Sequence, residues 1–90
     1  MDLHKTITFA ETVFAQEVDG EMVLLDMESE NYFGLDEVGT SIWETMQEEA
    51  DLDKVFSTLL AQYEVPEDVL KSDLVNFVKK LEESGLITVA

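Results

Sequence analysis

The sequence predicts an α+β fold in which a three-stranded antiparallel sheet is followed by three helices. Two short apolar runs flank Asp19-Gly20, and both residue types accept the positive φ of a tight hairpin turn. Beyond Asp36 the apolar residues recur every three or four positions, which is typical of amphipathic helices. The 90 residues include 4 Gly and 1 Pro and no linker-like segment, so a single domain over residues 1–90 is expected.

All three predicted strands lie in the first half of the chain. Thr12–Val18 and Glu21–Asp26 form the hairpin, and Asn31–Leu35 follows after a short acidic turn. Tyrosine and phenylalanine in the third segment favour the pleated surface of a sheet. Residues 1–10 are polar and mixed, so they are expected to form an irregular, flexible lead-in.

The first helix is predicted to begin after Asp36, because aspartate caps the free N–H groups of a helix start. Val38, Ile42 and Met46 then fall on one face of the helix, as the helical period requires. Gly39 lies inside this helix, where glycine costs about 1 kcal/mol relative to alanine. Such a glycine predicts the close approach of another backbone segment.

The second and third helices follow from their end signals and apolar stripes. The second is expected from Asp51 or Asp53 to Tyr63. Its stripe consists of Val55, Phe56, Leu59, Leu60 and Tyr63. The third helix is expected from about Pro66, which suits a first helical turn, to just before Gly85, a typical C′ residue.

The third helix carries more apolar surface than one small core needs. Its core face is predicted to consist of Leu70, Leu74, Phe77 and Leu81, with Val69, Val75 and Val78 on adjoining angles. The extra valines are either further core residues or the wall of a groove for a partner. A Schellman cap would bring Leu86 to Leu81, and the tail beyond is either a short strand or a packed extension.

The net charge restricts the classes of partner. The chain has 21 acidic residues, five lysines and no arginine, for a formal net charge of −16. Such a protein would repel nucleic acid and anionic membranes, and no apolar run is long enough to span a bilayer. Because cysteine and a signal-peptide pattern are both absent from the sequence, a cytoplasmic monomer is expected.

Neither a metal site nor a catalytic site is predicted. Residues 26–37 have acids at the first, third, fifth and twelfth positions of an EF-hand loop, but Asn31 replaces the glycine at the sixth. These acids are interpreted as a solvated turn and a helix cap. His4 is interpreted as a surface residue. An acyl-carrier role is disfavoured because Ser72 lies inside the third helix, and no cofactor motif occurs.

Two segments of the sequence resemble the PqqD-like family, the standalone recognition proteins of ribosomal peptide natural-product pathways. The first is LLD followed by YFGLDEVGTSIW, and the second ends in FVKKLEESGLI. Their order and spacing, over roughly residues 12 to 88, carry the resemblance. The pathways of this family include those of pyrroloquinoline quinone and lasso peptides.

The resemblance implies a winged helix-turn-helix-like fold and a binding protein rather than an enzyme. In such a protein, the leader segment of a precursor peptide adds to the third strand, in a groove walled by the third helix. The leader is then presented to a modifying enzyme, such as a leader peptidase or a radical SAM enzyme. The peptide-binding residues that the resemblance implies are Asn31, Tyr32, Phe33, Gly34, Leu35, Lys71, Leu74, Val75, Val78 and Lys79.

The physical basis of such binding is β-augmentation. An edge strand leaves N–H and C=O groups unpaired, and an extended peptide pairs with them. The extra valines of the third helix would supply an apolar wall, and Lys71, Lys79 and Lys80 would attract an acidic leader. The alternative interpretation is an acidic adaptor or regulatory subunit that docks a helix of a partner protein in the same groove.

Overall fold

The computed structural model describes residues 3–90 and contains the predicted sheet and the three predicted helices. The strands are β1 (Ile7–Phe9), β2 (Val13–Val18), β3 (Glu21–Asp26), β4 (Tyr32–Leu35) and β5 (Ile87–Val89), and the helices are α1 (Glu37–Glu48), α2 (Leu52–Gln62) and α3 (Glu67–Glu83). Strands β2, β3 and β4 form one antiparallel sheet in that order. The predicted α+β class and winged helix-turn-helix-like arrangement are therefore confirmed.

The β2–β3 hairpin turns at the predicted position. Asp19 and Gly20 have φ values of 52° and 82°, and Val18 pairs with Glu21 across this two-residue loop. Both central residues therefore take the positive φ that a type I′ turn requires. The three strands of this sheet begin and end at, or one residue from, the predicted positions.

The residues before β2 are not the irregular lead-in that the sequence predicts. Strand β1 pairs antiparallel with β5, and Ile7 lies opposite Val89. Ile7 and Leu3 are both buried in the core, so apolar burial holds this segment in place. The pairing also shows that the tail of the chain is a strand. Residues 1 and 2, which were also predicted to be flexible, lie outside the described residues.

The helices begin at capping residues. The Asp36 Oδ1 atom accepts a hydrogen bond of 2.7 Å from the Gly39 N–H at the start of α1. At the start of α2, the Asp51 Oδ1 atom accepts a bond of 3.0 Å from the Asp53 N–H, so Asp51 is the cap. Pro66 occupies the N-cap position of α3, one place before its first turn.

Helix α3 ends in the predicted Schellman motif. Gly85 has a φ of 77°, a conformation that costs a residue with a Cβ far more than glycine. The Leu86 N–H donates to the Leu81 carbonyl at 3.0 Å, and the Gly85 N–H donates to the Glu82 carbonyl at 3.0 Å. These are the two bonds that define the motif.

One hydrophobic core joins the helices to both sheets. Its buried residues include Leu24, Leu35, Ile42, Trp43, Met46, Leu52, Val55, Leu59, Leu70, Leu74, Val78, Leu81, Leu86 and Ile87. Several residues of the predicted apolar faces are not fully buried. Val38 is 39 % exposed, and the partly buried residues are Phe56, Leu60, Tyr63 and Phe77. Val38 and Phe77 both line one of the cavities described next.

Candidate functional site

Strand β4 is the outer strand of its sheet, and one of its edges pairs with β3. The Asp26 N–H donates to the Asn31 carbonyl at 2.9 Å, so the backbone groups of Asn31 point to β3. This bond establishes which way the N–H and C=O groups of each later residue in β4 point. Along an antiparallel strand, successive residues direct their N–H and C=O groups to opposite sides. The N–H and C=O groups of Phe33 and Leu35 therefore point to β3, as those of Asn31 do. The sequence alone left this parity undetermined.

The open edge of β4 is formed by Tyr32 and Gly34, whose N–H and C=O groups face away from β3. Tyr32 is 75 % exposed. No heavy atom lies within 4 Å of the position that a Cβ on Gly34 would occupy. Within residues 3–90, β4 pairs with β3 alone. An edge of this kind is a template for an additional strand.

A groove lies between β4, the start of α1 and α3. Two adjoining cavities of about 310 and 210 Å³ form it, and Asp36, Gly39, Phe77 and Lys80 line both. The remaining lining residues are Phe33, Gly34, Leu35, Val38, Ile42, Asp73, Asn76 and Leu81. We call this feature the β4–α3 groove. Its position places a surface of mixed apolar and charged residues directly beside the open strand edge.

Only one flank of α3 lines the β4–α3 groove. The buried face of the helix consists of Leu70, Leu74, Val78 and Leu81. With 3.6 residues per turn, the groove-lining residues fall to one side of that face: Asp73, Asn76, Phe77 and Lys80. The predicted contact residues Lys71, Val75 and Lys79 fall to the other side. The predicted wall is thus on the opposite flank from the residues that line the groove.

The predicted site residues therefore separate into two groups. Phe33, Gly34 and Leu35 line the groove, and Asn31 and Tyr32 continue along the same exposed strand. On the helix, Leu74 and Val78 are 0 % exposed. The prediction that Val78 lies off the core face is wrong, because α3 packs with that position turned inward. Val75 is half-buried, and Lys71 and Lys79 are exposed.

Sequence reasoning missed two groove residues of α3, Asp73 and Asn76. It placed Phe77 in the core, and it expected Lys80 to attract an acidic leader together with Lys71 and Lys79. The four groove residues share the helical spacing of one flank, but nothing in the sequence tells which flank faces β4. The Lys80 Nζ atom lies 5.9 Å from the centroid of the Phe33 ring, within the range of a cation–π interaction. This contact connects the helix to the strand across the groove.

Gly39 makes room for the groove residues around it. A Cβ at this position would lie 3.1 Å from the Asp36 Oδ1 atom and 3.2 Å from the Phe77 Cε2 atom. The glycine was predicted to admit another backbone, and the structure shows that it admits two side chains instead. The Phe77 ring can therefore lie against α1, where it forms part of the groove floor.

The turn that leads into β4 is organised by the carboxylate of Asp26. This carboxylate accepts bonds from the Thr12 hydroxyl at 2.8 Å, the Ser29 hydroxyl at 2.9 Å and the Glu28 N–H at 3.0 Å. The Thr12 bond, followed by the Ser29 and Glu28 bonds, holds the pKa of Asp26 below its ordinary value. Asp26 is buried, so its interpretation as a solvated acid is wrong, whereas Glu28 and Glu30 are exposed.

The sequence also raised His4, Ser72 and an acidic metal site as candidates. His4 is exposed and its ring contacts the carboxylate of Asp53. Ser72 is an exposed residue within α3, as predicted. Residues 3–90 contain no group of three histidine, aspartate or glutamate side chains placed to hold a metal ion. Within residues 3–90, the helices lack the combination of length and hydropathy that a membrane span requires.

Comparison with known proteins identifies the family. Residues 21–87 match the family described as coenzyme PQQ synthesis protein D (PqqD). The match covers most of the chain, so this protein belongs to the PqqD family, as the resemblance in its sequence implied. A search of curated proteins found no match.

Two solved structures share the fold. TbiB1 in complex with the TbiA(beta) leader peptide is 30 % identical, with a TM-score of 0.80 over 88 % of this chain and 92 % of that chain. A lasso peptide synthetase B1 complexed with the leader peptide is 24 % identical, with a TM-score of 0.81 over 92 % of this chain and 98 % of that chain. The second likeness bears on the fold alone.

Proposed function

We propose that this protein binds the leader segment of a ribosomally made precursor peptide and presents it to a modifying or leader-processing enzyme. The observation that carries the proposal is the open β4 edge at Tyr32 and Gly34, which lies directly beside the β4–α3 groove. Membership of the PqqD family and similarity to TbiB1, which was solved with a leader peptide, support it.

In this proposal the peptide adds to β4 as a further antiparallel or parallel strand. Its backbone pairs with the N–H and C=O groups of Tyr32 and Gly34, which supplies affinity. Every second peptide side chain then points toward α3, where Phe33 and Phe77 offer apolar surface. Main-chain pairing gives affinity and the groove gives specificity. Leu74 and Val78 support the helix from within the core instead of touching the peptide.

The protein acts as a carrier in this scheme and performs no chemistry itself. Its partners are the leader peptide and the enzyme that acts on the attached precursor, either a leader peptidase or a radical SAM enzyme. Holding the leader as a strand leaves the rest of the precursor free to enter the active site of that enzyme. The protein is monomeric and acts in the cytoplasm.

Proline substitution in β4 tests strand addition. The probe is a set of peptides selected from a random display library on the immobilised protein, then labelled for fluorescence polarisation. Gly34→Pro removes an N–H that faces the open edge, and the space around a Gly34 Cβ is empty. We expect a folded variant whose peptide binding is weaker by roughly tenfold or more, since one main-chain bond is lost and the ring obstructs its neighbours.

Two further variants serve as controls. Gly34→Ala keeps the N–H and should bind the peptides as the wild type does. Phe33→Pro removes an N–H that faces β3, so it should disrupt the sheet and lower the melting temperature. A Gly34→Pro protein that is folded and binds all the selected peptides with unchanged affinity would show that no strand is added at this edge.

A further inference from the structure

Lys80 differs from the other lysines of α3 in its position. It lines both cavities of the β4–α3 groove, whereas Lys71 and Lys79 lie on the opposite flank of the helix. Its Nζ atom lies 5.9 Å from the centroid of the Phe33 ring. The ammonium group therefore extends from α3 across to the strand on which the proposed peptide would be added.

Lys80 makes no ion pair within residues 3–90, although the chain has 21 acidic residues. The ion pairs in this part of the chain join His4 to Asp53 and Lys54 to Glu49. Two carboxylates, those of Asp36 and Asp73, line the groove with Lys80. They form no salt bridge with it, and the Asp36 side chain instead caps α1. The ammonium thus keeps its three hydrogen-bond donors free for a ligand.

We propose that Lys80 determines peptide specificity by binding the carboxylate of an aspartate or glutamate on the strand added to β4. This inference rests on the proposed function and specifies the peptide it takes. Along an added strand, only alternate side chains point to the same side as Phe33. The acidic preference is therefore confined to one groove-facing position of the peptide, and the positions on either side of it show none.

The net charge makes such a contact selective. A protein of net charge −16 repels an acidic peptide as a whole, so acidity elsewhere along the peptide weakens binding. Only a carboxylate placed against Lys80 gains a charge-assisted hydrogen bond. The repulsion from the rest of the surface thereby penalises peptides that carry the acid in another register.

Matched peptide pairs test the inference. Each selected peptide is synthesised with glutamate and with glutamine at every position in turn, and its affinity is measured by fluorescence polarisation. We expect one position at which glutamine weakens binding to the wild type roughly twofold to fivefold, the range of an ion pair with an exposed lysine. Lys80→Met should abolish this difference, and Lys80→Arg should retain it.

Lys71→Met and Lys79→Met are the matched controls. They remove the same charge from the same helix, so a general electrostatic effect would change binding in all three methionine variants. The inference predicts that both controls keep the preference for glutamate. Lys80 is exposed, so the Lys80→Met protein should melt at the wild-type temperature, and thermal melts verify that it remains folded.

The outcomes separate the two proposals. Peptides that lose binding to the Gly34→Pro protein but show no glutamate preference at any position would refute the role of Lys80 and leave the proposed function standing. A preference that survives Lys80→Met would also refute that role. If Gly34→Pro binds every peptide normally, the proposed function fails, and the role of Lys80 fails with it.

Discussion

Asp26 shows how one side chain prepares the strand edge on which the proposed function depends. Its carboxylate joins Thr12, ahead of β2, to Ser29 in the turn before β4. Its backbone N–H meanwhile makes the bond to Asn31 that sets the direction of groups along β4. A buried carboxylate that accepts three hydrogen bonds is favoured in its charged form, so the protonation state of Asp26 affects the turn.

The lowered pKa of Asp26 gives a pH-dependent contribution to stability. This contribution is complete above the unfolded-state pKa, about 3.9 for aspartate, and is lost as the pH falls through the lower folded-state pKa. We therefore expect Asp26→Asn to lower the melting temperature at neutral pH. The difference from the wild type should shrink as the pH falls below about 4. Circular dichroism melts from neutral pH to about pH 2.5 measure it.

The control for Asp26 is Glu28→Gln. Glu28 is an exposed acid of the same turn, and only its backbone N–H takes part in the Asp26 bonds. Glu28→Gln removes the same formal charge as Asp26→Asn but leaves the bonds of the Asp26 carboxylate in place. At neutral pH it should therefore change the melting temperature far less than Asp26→Asn. A difference between wild type and Asp26→Asn that stays constant down to acidic pH would mean that the charge of Asp26 does not stabilise the turn.

At the scale of the secondary structure elements, the parts that were predicted correctly depend on local signals. The Asp19-Gly20 turn, the Asp36 cap and the Gly85 ending each follow from the conformational preference of one or two residues. The pairing of β1 with β5 was missed because its partners lie at opposite ends of the chain. Both strands are also short, at 3 residues each.

The orientation of α3 could not be predicted from its sequence. Its apolar arc extends beyond the core face, and the surplus valines on adjoining angles suggested either further core or a binding wall. The structure places Val78 in the core and uses the Phe77 side of the helix for the groove. The rotation of a helix about its axis is set by how its ridges pack against neighbouring elements, and this information is spread over the whole fold.

Glutamate substitutions distinguish the faces of α3. Val78 is 0 % exposed, so Val78→Glu would bury a carboxylate without a partner and should lower the free energy of unfolding by about 3 kcal/mol or more. Val75 is half-buried on the flank away from the groove, and Val75→Glu should cost clearly less and leave peptide binding unchanged. Urea titrations followed by Trp43 fluorescence measure stability, and fluorescence polarisation measures binding.

Either substitution can contradict the assignment of faces. If Val78→Glu were as stable as the wild type, position 78 would have to be open to solvent. If Val75→Glu remained folded and lost peptide binding, the peptide would lie on the flank that carries Lys71 and Lys79. The original sequence-based wall would then be correct, and the β4–α3 groove would have another use.

At the scale of the whole molecule, the charge of −16 on 90 residues acts against compactness as well as against anionic partners. Like charges on a folded surface repel each other, and salt screens them. We expect the melting temperature to rise by several degrees when NaCl is raised from about 10 mM to about 0.5 M. Replacing NaCl with an uncharged solute, glucose, at equal osmolality controls for the change in water activity.

The same charge governs binding to nucleic acid. Gel-shift measurements with duplex DNA at low salt should show no complex, because a net charge of −16 repels the phosphates. A melting temperature that fell with salt would indicate that local ion pairs outweigh the repulsion from the net charge. A retarded DNA band would indicate a local basic surface, and the winged helix-turn-helix-like fold would then have to be reconsidered as a nucleic-acid fold.

The pairing of β1 with β5 has a consequence for the order in which the molecule assembles. Closing a chain segment costs more conformational entropy as the segment lengthens, and the Ile7–Val89 pair closes the whole segment between these two residues. The β2–β3 hairpin closes over two residues, so we expect it to form before the pair of β1 with β5. The Phe9 ring meets the Trp43 ring at a centroid distance of 4.8 Å, so the indole lies where this final closing step takes place.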